Sequence, residues 1–174
     1  MNALVEILKI LIPAGAVFAA SYFLVKRFLD NDKNRREHEL KKTNIGTITP
    51  LKLQAYERIV IYLERMNPNT LIVRVNRHGM NARQLQLELV NAIKSEFEHN
   101  LSQQIYMSAG AWEMVKNAKE EITQLINLTA TKVPADAPSN ELAMMILSVC
   151  SNLGKKLPCE IAVDYIKKEI AQNF

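Results

Sequence analysis

With 174 residues the chain holds one domain and an appendage, not two sizeable cores. Glycine (5) and proline (6) are scarce while 48% of residues are hydrophobic, which disfavours a turn-rich sheet and favours helices. The net charge of +4 is unevenly placed: residues 26–42 carry seven Lys/Arg against four Asp/Glu, residues 43–174 fourteen against thirteen. Phosphate-backbone binding needs clustered cations on one face, so no nucleic-acid partner is expected of the nearly neutral remainder.

The first predicted element is a transmembrane anchor over residues 1–25. Ile10 to Val25 reads ILIPAGAVFAASYFLV without a charge. Extended through Lys9, whose stem can snorkel, to Leu4, the run reaches the roughly twenty residues a bilayer core requires. Backbone at that depth must bond to itself, so the segment is expected to be helical. A cleavable leader carries its cations ahead of the apolar run. Here they follow it, at Lys26 and Arg27, and Glu6 offsets Lys9. The positive-inside rule then sets the leading tail outside and everything after Val25 in the cytoplasm, a single-pass membrane protein in contact with the lipid bilayer. Lys26 and Arg27 are expected at the headgroups. Gly15 with Ala19 and Ala16 with Ala20 have the spacing at which two spanning helices approach closely, a homodimer contact.

Residues 26–48 read as a charged juxtamembrane stalk and linker. Asp30–Lys42, DNDKNRREHELKK, lacks an apolar stripe and is expected to continue the spanning helix into water, with pairs such as Glu37–Lys41. Thr43–Thr49 reads as a linker around Gly46.

Residues 49–174 then give a compact bundle of about five amphipathic helices, making the fold all-α. Thr49-Pro50 is a cap followed by proline, and Leu53, Tyr56, Ile59, Val60, Leu63 and Met66 follow at three-and-four spacing. Asn67-Pro68 repeats the cap chemistry before TLIVRV; the β-branched residues suit a strand, but a lone strand has no partner, so a short helix is predicted. A turn centres on Gly79. Asn81 and Gln84 form a capping pair for a helix carrying Leu85, Leu89, Ile93, Phe97, Leu101 and Ile105, widened by Leu87 and Val90, and broken at Ser108 or Gly110. The next carries Trp112, Val115, Ala118, Ile122, Leu125 and Leu128. After a loop from Pro134 to Pro138, Ser139 caps a helix that ends at Gly154. Pro158 opens the last, with Ile161, Tyr165, Ile166 and Ile170. Short connections make neighbours antiparallel.

The stretch with most chemical content is Glu96–Tyr106, EFEHNLSQQIY. Glu96 and His99 stand three apart, as in half of a ferritin-like di-metal site, but neither His38 nor His78 has a glutamate three residues before it to supply the other half. No metal or cofactor is expected. Amides and scarce lysine make Glu96, Glu98, His99, Asn100, Gln103, Gln104 and Tyr106 a candidate face for a protein partner; the competing reading is an enzyme, metal-dependent or otherwise, using Glu96, Glu98 and His99. Arg74, Arg77, His78 and Arg83 precede a helix start, where arginines can hold phosphate. There is no P-loop, nucleophile elbow or dinucleotide fingerprint. Cys150 and Cys159 have neither a metal-ligand spacing nor a nearby histidine and read as buried, reduced thiols.

The segments PLKLQAYERIVIYLERMNP (Pro50–Pro68), EFEHNLSQQIY (Glu96–Tyr106), AWEMVKNAKEEI (Ala111–Ile122) and IAVDYIKKEI (Ile161–Ile170) resemble an uncharacterised bacterial family of single-span, membrane-anchored proteins with helical cytoplasmic domains. The resemblance implies the topology and fold class and brings no activity or catalytic residue. The expectation is a membrane-tethered interaction or scaffold protein.

Overall fold

A computed structural model of the chain describes residues 18, 21–28, 46 and 48–173. The chain divides into two units, Met1–Thr49 and Pro50–Phe174. In the first, residues 21–28 are helical and exposed, Lys26 and Arg27 among them, and the Tyr22 and Phe23 rings meet edge-on. No helix among the described residues is long and apolar enough to cross a membrane. Most of the expected span, the small residues Gly15, Ala16, Ala19 and Ala20, and the stalk beyond Phe28 lie outside the described residues. Gly46, Ile48 and Thr49 are helical, so they are not the linker expected there, and Thr49 does not cap a helix that begins at Pro50.

In the second unit, residues 50–65 form α1. Its buried row is Ala55, Tyr56, Ile59, Tyr62, Leu63 and Met66, a stripe at helical spacing. Leu53, expected inside, is exposed; the row is centred on Ile59 and Leu63, and Ala55 and Tyr62 widen it instead. The chain turns at Asn67, whose side chain accepts from Asn69 N, and Pro68 sits at the start of α2, Pro68–Val75. Proline there gives up an amide that has no partner inside the helix. TLIVRV is thus helical, burying Leu71 and Ile72. Among the described residues no strand forms, and the single β-bridge joins Asn81 to Pro138.

Gly79, at φ 86°, lets the chain reverse into α3, Ala82–Asn100. Asn81 and Gln84 close a reciprocal capping box: Gln84 N donates to Asn81 Oδ1 at 2.8 Å, and Asn81 N to Gln84 Oε1 at 3.0 Å. Leu85, Leu89 and Ile93 are buried, but Leu87 is exposed, because it lies about 200° around the helix from Leu85. The helix was expected to run on to Ser108. It ends at Asn100, whose Nδ2 donates back to the Glu96 carbonyl at 2.8 Å, and passes into a 3₁₀ turn, Leu101–Tyr106. Three residues per turn move the apolar row off the core, leaving Leu101 and Ile105 exposed.

Ser108 caps α4, Ala109–Ala130, accepting from Ala111 N at 3.0 Å. Trp112, Val115, Ala118, Ile122, Ile126 and Thr129 face inward. A loop leads to α5, Ser139–Asn152, which buries Leu142, Ala143 and Ile146. Ser139 is not its cap. Pro138 holds that position, and the Ser139 hydroxyl donates to Asn76 Oδ1 at 2.7 Å. Backbone does the work a cap would do: Ser139 N donates to Met80 O, Ala82 N to Ala137 O and Arg83 N to Ala135 O, so the α2–α3 turn and the α4–α5 loop satisfy each other's helix starts. Gly154, at φ 60°, ends α5. In α6, Pro158–Asn173, the buried row is Cys159, Ala162, Val163 and Ile166, with Ile161 and Tyr165 turned out against expectation. The row at 159, 162, 163 and 166 sets one face of the helix inward, and Ile161 and Tyr165 fall beside it.

The core closes around α4, which packs on α3, α5 and α6. Tyr62, Phe97 and Trp112 form an aromatic ladder across α1, α3 and α4, with ring centroids 6.1 and 5.5 Å apart. Lys119 Nζ sits 4.5 Å over the Phe97 ring. Cys159 is buried and Cys150 half-buried, both free; burial raises both thiols, Cys159 to about 11, so neither is a reactive thiolate.

Candidate functional site

Glu96 is the residue on which a metal reading depended, and it is already engaged. Arg65 Nε on α1 donates to both its oxygens at 2.9 and 3.0 Å, and Arg74 Nη1 on α2 donates to Oε1 at 2.7 Å. Burial pushes this carboxyl up, and the hydrogen bonds and charges of Arg65 and Arg74 outweigh it, holding Glu96 below its ordinary range. The pair in turn holds the Arg65 guanidinium above its usual value. This carboxylate is therefore a clamp joining α1, α2 and α3. Glu98 is exposed and pairs with Lys94 at 3.9 Å, and His99 is exposed. Among the described residues no three His, Cys, Asp or Glu lie together as a metal ion would require.

The rest of the proposed face divides. Asn100 is buried and turned to its own helix, so it offers no contact surface. Gln103 and Tyr106 are half-buried, and Gln104 is exposed. Leu101 and Ile105, assigned to the core from sequence, join this surface instead, Ile105 at 74% exposure.

Of the arginines suggested for phosphate, Arg74 is committed to Glu96, and Arg83 Nη1 donates to Gln86 Oε1 at 3.1 Å. Arg77 and His78 line a cleft of about 570 Å³ with Asp136 and Ser139. The amides at the adjacent helix starts are already spent, on backbone carbonyls and within the Asn81–Gln84 capping box. Serine, histidine and aspartate share this cleft, yet the Ser139 hydroxyl proton goes to Asn76, not to a histidine base.

In the helical domain, two clefts between α4 and α5 are lined largely by apolar side chains. One cleft of about 330 Å³ is lined by Glu121, Leu125, Leu128, Lys132, Val149 and Leu153. A second, of about 420 Å³, is lined by Lys132, Val133, Pro134, Glu141, Met144 and Met145. Lys132 lines both, so the two clefts adjoin, and together they are here termed the α4–α5 groove. Leu128 is 65% and Met144 71% exposed. Leu128 was expected inside with Leu125; the inward row instead runs through Ile122, Ile126 and Thr129, and Leu128 faces water. The signal was present in the sequence: Ile122, Leu125, Ile126 and Leu128 are more large apolar residues than one helix face holds.

A family of unknown function (DUF7935) matches residues 2–173. The chain belongs to that family. No curated protein and no solved structure matches it. The family extends over the leading segment as well as the helical domain, and the resemblance read from the four segments holds in that it is a family without a described function.

Sequence reasoning also missed a second carboxylate site. Glu169 on α6 accepts from the Tyr56 hydroxyl and from the Ser108 hydroxyl, and from Ser108 N at 3.3 Å. Burial raises Glu169, but the donors from Ser108 and Tyr56 hold it below its ordinary range; burial, then Glu169 itself, raises Tyr56. Held below its ordinary range, Glu169 is a weak base for Ser108, which also caps α4, so the arrangement ties α1, α4 and α6 rather than activating a nucleophile. Tyr56 and Glu169 lie 113 residues apart, beyond any local signal.

Proposed function

We propose that the chain is a membrane-tethered interaction protein: a single span anchors it, with the leading tail outside, and the helical domain docks a protein partner in the cytoplasm through the α4–α5 groove. The anchor is supported by the uncharged run from Ile10 to Val25 with its cations behind it. Lys26 and Arg27 then lie at headgroup level, and Gly15, Ala16, Ala19 and Ala20 offer a close helix contact within the bilayer.

The observation that carries the docking role is the groove, where Leu128, Met144 and Met145 are exposed on a well-packed scaffold. Exposed contiguous apolar surface marks interaction sites, and methionine lets such a surface adapt. The fitting partner is an amphipathic helix with an apolar seam, a carboxylate to meet Lys132 and a cation to meet Glu121. The exposed His99, Leu101, Gln104 and Ile105 are a second contact for that partner, on the observation that Leu101 and Ile105 point outward.

The test uses the full-length chain in intact membranes. Alkaline carbonate should leave it in the pellet; release into the supernatant overturns the anchor. A photoreactive residue replacing Leu128 should capture a protein, and Met144→Asp should abolish capture. Absence of capture, or capture indifferent to Met144→Asp, overturns the docking site.

A further inference from the structure

We propose that the partner in the α4–α5 groove is a second copy of this chain, laid antiparallel across a two-fold axis so that α4 of each copy runs against α4 of the other. The inference rests on the docking reading above and names its occupant.

It comes from the order of charge along the groove. On α4 and the turn that ends it, Glu121, Leu125, Leu128 and Lys132 follow at spacings of four, three and four. The first three stand on one face of α4, spanning roughly 10 Å at 1.5 Å per residue, and Lys132 follows in the turn past its end. An acid stands at one end, a base at the other, and two leucines between. All four line the same cleft, with Val149 and Leu153 of α5 beside them. Among the described residues neither Glu121 nor Lys132 forms an ion pair, although the neighbouring Lys119 and Glu120 pair with each other.

A two-fold axis through the middle of this stripe exchanges its ends. Glu121 of each copy meets Lys132 of the other, and Leu125 of each meets Leu128 of the other, so one patch satisfies itself twice. The four-three-four spacing is the seam by which helices interlock along their length. A parallel pairing would set Glu121 against Glu121 and Lys132 against Lys132, so charge selects the antiparallel register. On α5, Met145 and Val149 extend the apolar strip with side chains that adapt to a facing copy. Anchoring both copies in one membrane raises their effective concentration for this contact.

The experiment measures the oligomeric state of the full-length chain in lipid nanodiscs by native mass spectrometry, with Glu121→Lys and Lys132→Glu singly and together. Each single change sets like charges together at both ends and should weaken the dimer about tenfold or more. The double change restores opposite charges and should restore the dimer. The two single variants mixed should form the mixed pair in preference to either alone. A monomer throughout, or a dimer indifferent to the charge exchanges, overturns the proposal. The photoreactive residue at Leu128 separates this failure from that of the docking site: capture of a different protein by a monomeric chain removes the second copy and keeps the groove, whereas no capture removes both.

Discussion

Glu96 and Glu169 each gather donors from two other parts of the chain, and they do so by different chemistry. Glu96 faces two guanidiniums, on Arg65 and Arg74, at a surface where both arginines remain substantially exposed. Glu169 is met by neutral donors, the Tyr56 and Ser108 hydroxyls and the Ser108 amide, and the Tyr56 ring is buried. Both carboxyls are held below their ordinary range, Glu96 by charge and hydrogen bonds together and Glu169 by hydrogen bonds. Exposed ion pairs contribute little because water competes for both partners. Glu169 matters chiefly through the part-buried Tyr56 hydroxyl, which its loss would leave without that acceptor. The domain is thus stapled on one side by charge and on the other by hydrogen bonds.

The sharpest way to break this comparison is to remove each carboxylate. Glu169→Ala leaves the part-buried Tyr56 hydroxyl without its acceptor and takes a charged one from the exposed Ser108, and should cost about 2 kcal/mol in urea unfolding. Glu169→Gln keeps an acceptor and should cost roughly half as much. If both substitutions cost under about 0.5 kcal/mol, Glu169 is not a staple.

Glu96→Gln should cost less, about 1 kcal/mol at low salt, and most of that should vanish in 1 M NaCl, where the screening length falls to about 3 Å. The cost of Glu169→Gln should be unchanged by salt. Equal salt dependence at the two sites would erase the distinction. Acid draws the same line. Both carboxyls titrate lower folded than unfolded, so the unfolded state binds more protons; the stability they supply is present above the unfolded carboxylate pKa and lost as pH falls through the folded values. In acid unfolding followed by circular dichroism, Glu96→Gln and Glu169→Gln should each flatten this slope, and added salt should mimic only the first.

What was legible in the sequence is what one helix settles by itself. Asn81 with Gln84, Asn67 with Pro68, and the row Leu85, Leu89, Ile93 declared themselves because caps and apolar spacing are local. The errors came where a neighbour decided. Asn100 bonds its own helix and ends it early, and α6, packed on α4, turns Ala162 inward and Ile161 and Tyr165 outward. Glu96 was read with His99, three residues on, whereas its partners lie 31 and 22 residues away. The groove lay between these cases. Its stripe is written along α4, but an apolar stripe does not say whether it faces the core or a partner.

The smallest effect probes whether the hydrogen-bonded side is rigid as well as satisfied. Gly110 lies in the first turn of α4, two residues after Ser108, and a Cβ added there would stand 2.6 Å from Tyr165 Oη. Alanine favours the helix by up to about 1 kcal/mol over glycine, so the outcome depends on whether Tyr165 yields. Its ring is partly exposed and the hydroxyl is its far end, so it should swing aside, leaving Gly110→Ala within about 0.5 kcal/mol of the parent. In a Tyr165→Phe background the obstructing atom is gone, and the same change should stabilise by roughly 0.5 kcal/mol. A penalty above about 2 kcal/mol that Tyr165→Phe relieves would show Tyr165 fixed against α4, and the α4–α6 side would then be held by packing as firmly as by the hydrogen bonds to Glu169.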